Sequence, residues 1–334
     1  MKLPDDFPCW LVDRDEGGAL VSGPSRLTLD DLPPGEVLVK IEWSSLNYKD
    51  GLAATAHPGV AKRLPHVPGI DAVGTVVESG AARVSPGQTV LISGGEFGAG
   101  SWGGWSAFAR VPADFVAALP DGLDAVEAIS LGVAGFTAAL SVKRLLAHGI
   151  TPQGGEVLVT GATGGVGSVA VMLLAKLGFR VVALTGKEDR VEWLRSLGAT
   201  RVVGRSELDV GGDAPLLKSK WMGGIDTVGG APLAALLRST KTGGCVTTCG
   251  LVAGAELVLT VHPFILRGIT LCGIDSAWTS PEERKEVWAL LAREWKLPKL
   301  DRITRKVALG ALRPEIEAIL AGRIAGRTIV EVNA

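Results

Sequence analysis

The chain has 334 residues, a formal net charge of −1, 47% hydrophobic residues and 21% charged residues. This composition excludes a disordered chain and gives no general attraction to nucleic acid or anionic membrane. The length suits two domains better than one.

The opening MKLPDDFPCW carries acids and prolines and lacks an apolar h-region, so it does not read as a signal peptide, and a cytoplasmic protein is expected. The longest apolar stretch, near 169–184, is broken by Lys176, Gly178 and Arg180 and is too short to span a bilayer. The first 125 residues or so read as β-rich. Strands are expected within 36–48, 72–79 and 88–94, with Pro86-Gly87 turning between the last two. A strand, a turn and a helix start are expected within 115–131 and a helix over 132–146, and from Val157 strands and helices alternate. Strands are predicted near 157–160, 180–185, 200–203, 224–229, 244–249 and 268–274, with helices at 189–197 and 233–237. This order implies a parallel sheet covered on both faces. A helix opened by Pro281 runs to Trp295, and a short helix at 313–321 and a strand at 328–332 close the chain.

The stretch VLVTGATGGVGSVAVMLLAKLGFRVVALTGK, 157–187, carries the most chemistry. An apolar strand enters a glycine-rich turn, an apolar helix follows and stops at Gly178, and a second strand ends at Thr185-Gly186-Lys187. Such a turn aims a helix N-terminus, with its unpaired N–H groups, at a pyrophosphate. The turn reads A-x-G-x-x-G at Ala162, Gly164 and Gly167, and an alanine serves at the first place if φ stays negative there. The second strand ends without the carboxylate that binds a ribose 2′-hydroxyl. Lys187 stands there instead, with Arg190 and Arg201 as further cations, which favours NADPH over NADH. The alternative for Lys187 and Arg201 is an ordinary solvated surface charge.

The four cysteines, Cys9, Cys245, Cys249 and Cys272, are scattered, without a disulfide framework or zinc spacing. Cys245 and Cys249 read as core thiols. His57, His66, His148 and His262 are far apart in sequence and read as surface or packing residues. No metal site is expected.

The segments WSSLNYKD (43–50), PGIDAVGTV (68–76), GFTAAL (135–140), VTGATGGVGSVAV (159–171), SLGATRV (196–202), IDTVGG (225–230), GGCVTTCGL (243–251), PFILRGITLCGIDS (263–276) and GRTIVEV (326–332) together carry a resemblance over essentially the whole chain. It resembles the zinc-free medium-chain dehydrogenases/reductases of the quinone-oxidoreductase type, within them the YhdH/AcuI-type acrylyl-CoA reductases. The resemblance implies an α/β architecture with two parts: a GroES-like β-rich catalytic domain (1–125 and 279–334) and a doubly wound Rossmann domain for NADPH (126–278). The active site is expected in the cleft between them. Zinc-dependent relatives need a cysteine where this chain has Ser44 to Tyr48, and a His-Glu pair where it has Ile70-Asp71.

The implied reaction reduces a C=C bond conjugated to a carbonyl, acrylyl-CoA to propionyl-CoA. Hydride goes to the β-carbon, charge collects on the carbonyl oxygen, and a proton arrives at the α-carbon. Asn47 and Tyr48 are the candidate catalytic residues, with Asn47 as a simple turn residue and Tyr48 as a wall residue the alternatives. Asp71 is either an acid or acceptor or a fixer of local structure, and Lys49 and Asp50 begin a helix. Matching positions assign Gly164, Gly165, Val166 and Gly167 to the pyrophosphate. Thr185, Gly186 and Lys187, with Arg201, are assigned to the 2′-phosphate. Tyr48, Leu251, Ile265 and Ser276 go to the nicotinamide end, and Arg323 to a tail contact where relatives carry an amide. Arg327 reads as an ion-pair residue joining tail to domain. Among Lys62, Arg63, Arg267, Lys296, Lys299, Arg302, Arg305 and Lys306 no spacing selects the cations for CoA phosphates. A homodimer, paired through the strand near 269–274, is implied by the same resemblance. An enone or quinone reductase without a CoA requirement is the alternative activity, and a cofactor-binding protein with a structural or regulatory role is the third reading.

Overall fold

The computed structural model describes residues 3–208, 212 and 214–333. The chain resolves into two compact units, one formed up to Val133 and again from Lys299, the other by Ala134–Pro298.

The first unit is built on a seven-stranded sheet. Its central strand, Val37–Leu46, pairs antiparallel with Asp71–Ser79, with Phe108–Val111 and, through its last residues, with Arg327–Glu331. Asp71–Ser79 continues to Thr89–Ser93 and Val116–Ala118, and Arg327–Glu331 pairs in parallel with Thr304–Ala308. Alternation puts Val37, Val39 and Ile41 into the core with Phe7, Trp10, Trp105 and Phe108. The hairpin Phe7–Arg14/Leu20–Leu27 and the strand Thr304–Ala308 were not expected. The second hairpin strand contains Gly23 and Pro24 and is mostly exposed, so no apolar alternation marks it. The helix begun at Tyr48 runs to Ala54, as Lys49 and Asp50 suggested.

The second unit is a six-stranded parallel sheet. Its first strand, Glu156–Val159, lies between the second, Arg180–Leu184, and the fourth, Trp221–Asp226. Arg201–Val203 flanks the second, and Thr240–Thr248 and Thr270–Gly273 follow the fourth. The spatial order 3-2-1-4-5-6 is that of doubly wound dinucleotide-binding folds. Its apolar residues, among them Leu158, Val182, Trp221, Leu236 and Val246, form one core. The helix Pro281–Ala292 belongs to this unit, so the second joint comes later than the expected 278/279. Trp288 stacks on Phe136 at 5.9 Å, and Glu283 bonds Lys143 and Arg144 at 3.1 and 3.0 Å.

Among the described residues one helix, Ala125–Ala147, is long and apolar enough to cross a membrane, which the reading of 169–184 as the longest apolar stretch overlooked. It is mostly buried and is broken at Gly132, where φ is 49° and ψ −155°. Gly132 is thus a break between two helical runs, not a helix start.

The glycine turn sorts its residues by physical need. Gly161, just before the matched motif, takes the left-handed conformation at φ 56°. Ala162 is buried and keeps a negative φ, so the alanine is no defect. A Cβ on Gly167 would lie 2.3 Å from the Gly161 carbonyl oxygen, the close helix-on-strand approach that requires glycine. Gly167→Ala is therefore expected to destabilise by about 1–3 kcal/mol. Ala162→Gly, which restores three glycines, is expected to lose about 0.4–1 kcal/mol through added unfolded-state entropy. Thermal melts of both variants check this; a rise in Tm for Ala162→Gly would contradict the assignment.

Candidate functional site

The C-terminal ends of the parallel strands carry most of the expected cofactor residues. After Val159 comes the turn, with Gly164 capping the helix Gly165–Lys176. The first N–H groups of that helix have no intrahelical partner, and with the helix dipole they form an anion site. After Leu184 come Thr185, Gly186 and Lys187, where the Thr185 hydroxyl oxygen accepts the Lys187 N–H at 3.0 Å. After Thr248 and Gly273 come Leu251, exposed, and Ser276, half-buried. Buried Asp226 ties three of these strand ends together. It accepts hydrogen bonds from the Thr160 and Thr248 hydroxyls at 2.7 and 3.0 Å and from the Gly229 N–H at 2.8 Å.

One expectation fails here. Arg201 opens its strand, at the opposite end of the sheet from Lys187. Its guanidinium bonds Glu156, the first residue of the first strand, at 3.2 Å and lies over the Trp221 ring at 5.6 Å. The cation at the correct end is Arg205, which the sequence reading missed. It follows Val203, and its Nε lies 2.6 Å from where a Cβ on Gly186 would stand. Glycine at 186 therefore leaves room for this guanidinium. Ile265, assigned to the nicotinamide end, lies off the strands. It is exposed, within the short crossover helix His262–Arg267. Burial pulls the Lys187 ammonium down from its ordinary range, Arg190 adds to this and Asp189 opposes it. A bound phosphate would reverse that balance. A helix N-terminus, a lysine and an arginine on one sheet edge fit a dinucleotide with an additional phosphate.

In the first unit the sheet register brings Ser45, Asn47, Asp50, Asp71 and Arg327 together. Thr328 pairs with Leu46, and Ala72 with Ser44. Asp71 is fully buried. Its Oδ2 accepts from the Ser45 hydroxyl at 2.7 Å and from Asn47 Nδ2 at 3.1 Å, and its Oδ1 accepts from the Val133 N–H at 2.9 Å. Arg327 is 2% exposed and lies 3.8 Å from Asp71. It donates through Nε to the Ser130 carbonyl and through Nη1 to Asn47 Oδ1, at 2.9 and 2.8 Å. Its Nη2 has no hydrogen-bond partner among the described residues. Burial draws the guanidinium down from its ordinary range while Asp71 and Asp50 oppose this, and it stays charged. The chain break at Gly132 serves this cluster, because a Cβ there would lie 2.5 Å from Asp71 Oδ2.

Asp50 is also fully buried. It accepts from the N–H groups of Asn47, Gly69 and Ile70 at 2.7, 3.1 and 2.8 Å. Burial pushes its carboxyl up, to about 7, and these donors pull the other way. Sequence reading saw only a helix-starting acid. Asn47 is committed too: its Nδ2 reaches Ser45, Asp50 and Asp71 at 2.9, 3.0 and 3.1 Å. It has no spare donor for a substrate. Tyr48 differs, being 37% exposed, with no hydrogen-bond partner for its hydroxyl among the described residues. The group of one carboxylate, one amide and one hydroxyl is closed around a guanidinium. It does not fit a zinc ion, which is bound by thiolate, imidazole and carboxylate. Arg323 is exposed in the turn after the helix Leu312–Leu320. Of the candidate phosphate cations, Arg267 is occupied by the backbone carbonyls of Leu217, Arg238 and Thr240, and Arg305 by Glu315.

Asp71→Ala leaves the buried Arg327 charge uncompensated and is expected to destabilise the protein by about 3–5 kcal/mol. Thermal denaturation measures this, and a loss below about 1 kcal/mol would show that the pair does not hold the unit together.

The description "Zinc-binding dehydrogenase" matches residues 165–293, and "Alcohol dehydrogenase GroES-like domain" matches 33–121. The acrylyl-CoA reductase AcuI of Ruegeria pomeroyi is 45% identical over 98% of this chain and 100% of its own. The crystal structure of Escherichia coli YhdH with bound NADPH superposes with a TM-score of 0.93 at 45% identity, covering 97% of this chain and 100% of that one. The Bacillus subtilis YhfP structure with NAD bound gives a TM-score of 0.94 at 41% identity, over 98% and 99% of the two chains. The chain belongs to the medium-chain dehydrogenase/reductase family, in which a GroES-like unit accompanies a Rossmann unit.

Proposed function

We propose that this enzyme reduces the C=C bond of a short 2-enoyl-CoA, acrylyl-CoA to propionyl-CoA, with NADPH and without catalytic zinc. The chain is an oxidoreductase acting on a CH–CH bond, and its cofactor is NADPH. The observation that carries the cofactor is the sheet edge bearing the glycine turn, Lys187 and Arg205. Support for the substrate comes from the 45% identity to an acrylyl-CoA reductase over that protein's full length.

When bound, NADPH supplies the hydride that reaches the β-carbon. The helix start at Gly164 to Gly167 holds the pyrophosphate, and Thr185, Gly186, Lys187 and Arg205 hold the 2′-phosphate. Leu251, Ser276 and, from its exposed helix, Ile265 line the nicotinamide end, and Arg323 remains the proposed tail contact. Positioning the acceptor carbon about 3–3.5 Å from the donor is the chief service of the protein. A single hydrogen-bond donor to the developing enolate oxygen contributes ~3 kcal/mol. Tyr48 has an unengaged hydroxyl for that purpose or for proton transfer, and Asn47 acts as a positioning residue held by Asp50, Asp71 and Arg327. The closed donor set around Arg327 supports zinc-independent chemistry. The edge strand Thr270–Gly273, with exposed Leu266 and Trp278 near it in sequence, supports pairing with a second copy as a homodimer. A cytoplasmic location accords with this reading. Lys62, Arg63 and Lys306 remain candidates for CoA phosphates, although Lys306 lies over the Trp43 ring at 4.9 Å.

A specific observation favours the second reading, a general quinone or enone reductase. YhfP of Bacillus subtilis, a candidate quinone oxidoreductase, is 44% identical over 92% of this chain. Steady-state kinetics separate the two: kcat/KM for acrylyl-CoA is expected to exceed that for a simple quinone, and a tenfold or greater quinone preference would overturn the leading reading (about 1.4 kcal/mol of transition-state binding).

For the cofactor, Lys187→Ala and Arg205→Ala are each expected to lose a charged hydrogen bond of about 1.5–3 kcal/mol, so roughly a 10- to 150-fold loss of NADPH affinity with little change for NADH. Arg201→Ala leaves the NADPH/NADH ratio unchanged. Binding titrations of the three variants test the assignment, which fails if Arg201 and not Arg205 carries the discrimination.

A further inference from the structure

The second unit brings together three side chains that no reading of the reaction uses. Cys245 lies in the strand Thr240–Thr248 and Cys272 in its neighbour Thr270–Gly273. The parallel register pairs Cys245 with Thr270 and Thr247 with Cys272, so the cysteines are two residues offset on one face of adjacent strands. Their Sγ atoms are 3.9 Å apart. His148 follows the end of the helix Ala125–Ala147, and its Nε2 lies 3.8 Å from Cys272 Sγ. All three donor atoms lie within 4.8 Å of one another.

A second observation concerns the imidazole. Its Nδ1 is 2.9 Å from the Arg144 carbonyl oxygen. A carbonyl only accepts, so Nδ1 carries the hydrogen and Nε2 presents its lone pair toward the sulfurs. A backbone carbonyl holding the far nitrogen is the arrangement that orients metal-ligating histidines. The helix C-terminus beside His148 adds negative partial charge that favours a cation.

We propose that His148 Nε2, Cys245 Sγ and Cys272 Sγ form a binding site for Zn2+, with water at the fourth position on the exposed His148 side. Zinc–sulfur bonds of about 2.3 Å and zinc–nitrogen bonds of about 2.0–2.1 Å at a tetrahedral angle require ligand atoms roughly 3.5–3.8 Å apart. Two of the three separations, 3.9 and 3.8 Å, are close to this, and the third, between Cys245 Sγ and His148 Nε2, lies within 4.8 Å and closes by a turn of the exposed imidazole. Two sulfurs and an imidazole select a thiophilic ion over Mg2+ or Ca2+. Binding forms two Zn–S bonds and one Zn–N bond, and each thiol that carries a proton releases it to solvent. The three residues belong to the second unit, whereas Ser45, Asn47 and Asp71 belong to the first.

The test uses the full-length enzyme, chelator-treated under reducing conditions and titrated with Zn2+ against a chromophoric indicator. Expected are one Zn2+ per chain, release of the thiol protons into weak buffer, and a thiolate-to-metal charge-transfer band when Co2+ replaces Zn2+. Cys272→Ser and His148→Gln are each expected to weaken zinc about tenfold or more while leaving kcat with NADPH unchanged. The proposal is overturned if the reduced, folded protein binds no stoichiometric zinc, or if both variants bind it as wild type does. Mass spectrometry showing a Cys245–Cys272 disulfide in the freshly isolated protein would overturn it equally.

Discussion

A buried guanidinium organises the first unit. Arg327 stands at the start of the last strand, yet it bonds Asn47, 280 positions earlier, and faces Asp71 at 3.8 Å. A charge this deep is tolerable only when it is paired and hydrogen-bonded. That requirement explains several features that look unrelated in the sequence. Gly132 breaks a long helix because a side chain there would strike Asp71, and the break turns the Val133 N–H onto the same carboxylate. Ser45 near the strand end and Asn47 just beyond it are polar because the pair needs donors and acceptors. The antiparallel pairing of Arg327–Glu331 with the end of Val37–Leu46 closes the sheet around them.

The parallel sheet works by a different constraint. In doubly wound folds ligands gather at the carboxyl ends of the strands, so a residue's value depends on which end of its strand it occupies. Lys187 and Arg205 follow the second and third strands, whereas Arg201 precedes the apolar run of the third. Four residues of sequence, from the first residue of the strand to just past its end, reverse the assignment. The ion pairs of Arg201 with Glu156 and Glu207 are then a fastening at the amino edge.

Much of this was legible in the sequence because it is local. The strand–turn–helix–strand unit, the negative φ needed at Ala162 and the helix beginning near Lys49 all follow from adjacent residues. Arg205 was within reach as well, since it follows the strand as Lys187 does. What stayed hidden depends on register. Nothing in the spacing of Cys245, Cys272 and His148 shows a two-residue offset between neighbouring strands, so they read as scattered thiols and a surface imidazole. Asp50 reads as an N-terminal helix acid whether it is solvated or fully buried under Gly69 and Ile70. The helix Pro281–Ala292 joins the second unit through the Phe136 ring and Lys143, partners more than a hundred residues away that no local pattern announces.

The same energetics narrow the proposed reaction. If Asn47 were to turn its amide toward a substrate oxygen, Asp50 and Asp71 would each lose a buried donor. A buried acceptor left unsatisfied costs about 1–3 kcal/mol, more when it is charged. One donor to the developing oxyanion contributes ~3 kcal/mol, so such a rearrangement returns little or nothing. The donor must come from a group whose release leaves no debt behind it. Tyr48, the single tyrosine of the chain, sits next to Asn47 at the first turn of its helix, with its backbone fixed by the buried cluster and its hydroxyl uncommitted among the described residues. On the proposed reaction, this network makes Asn47 a positioning residue and leaves Tyr48, at a helix start that the buried cluster holds in place, as the proposed donor.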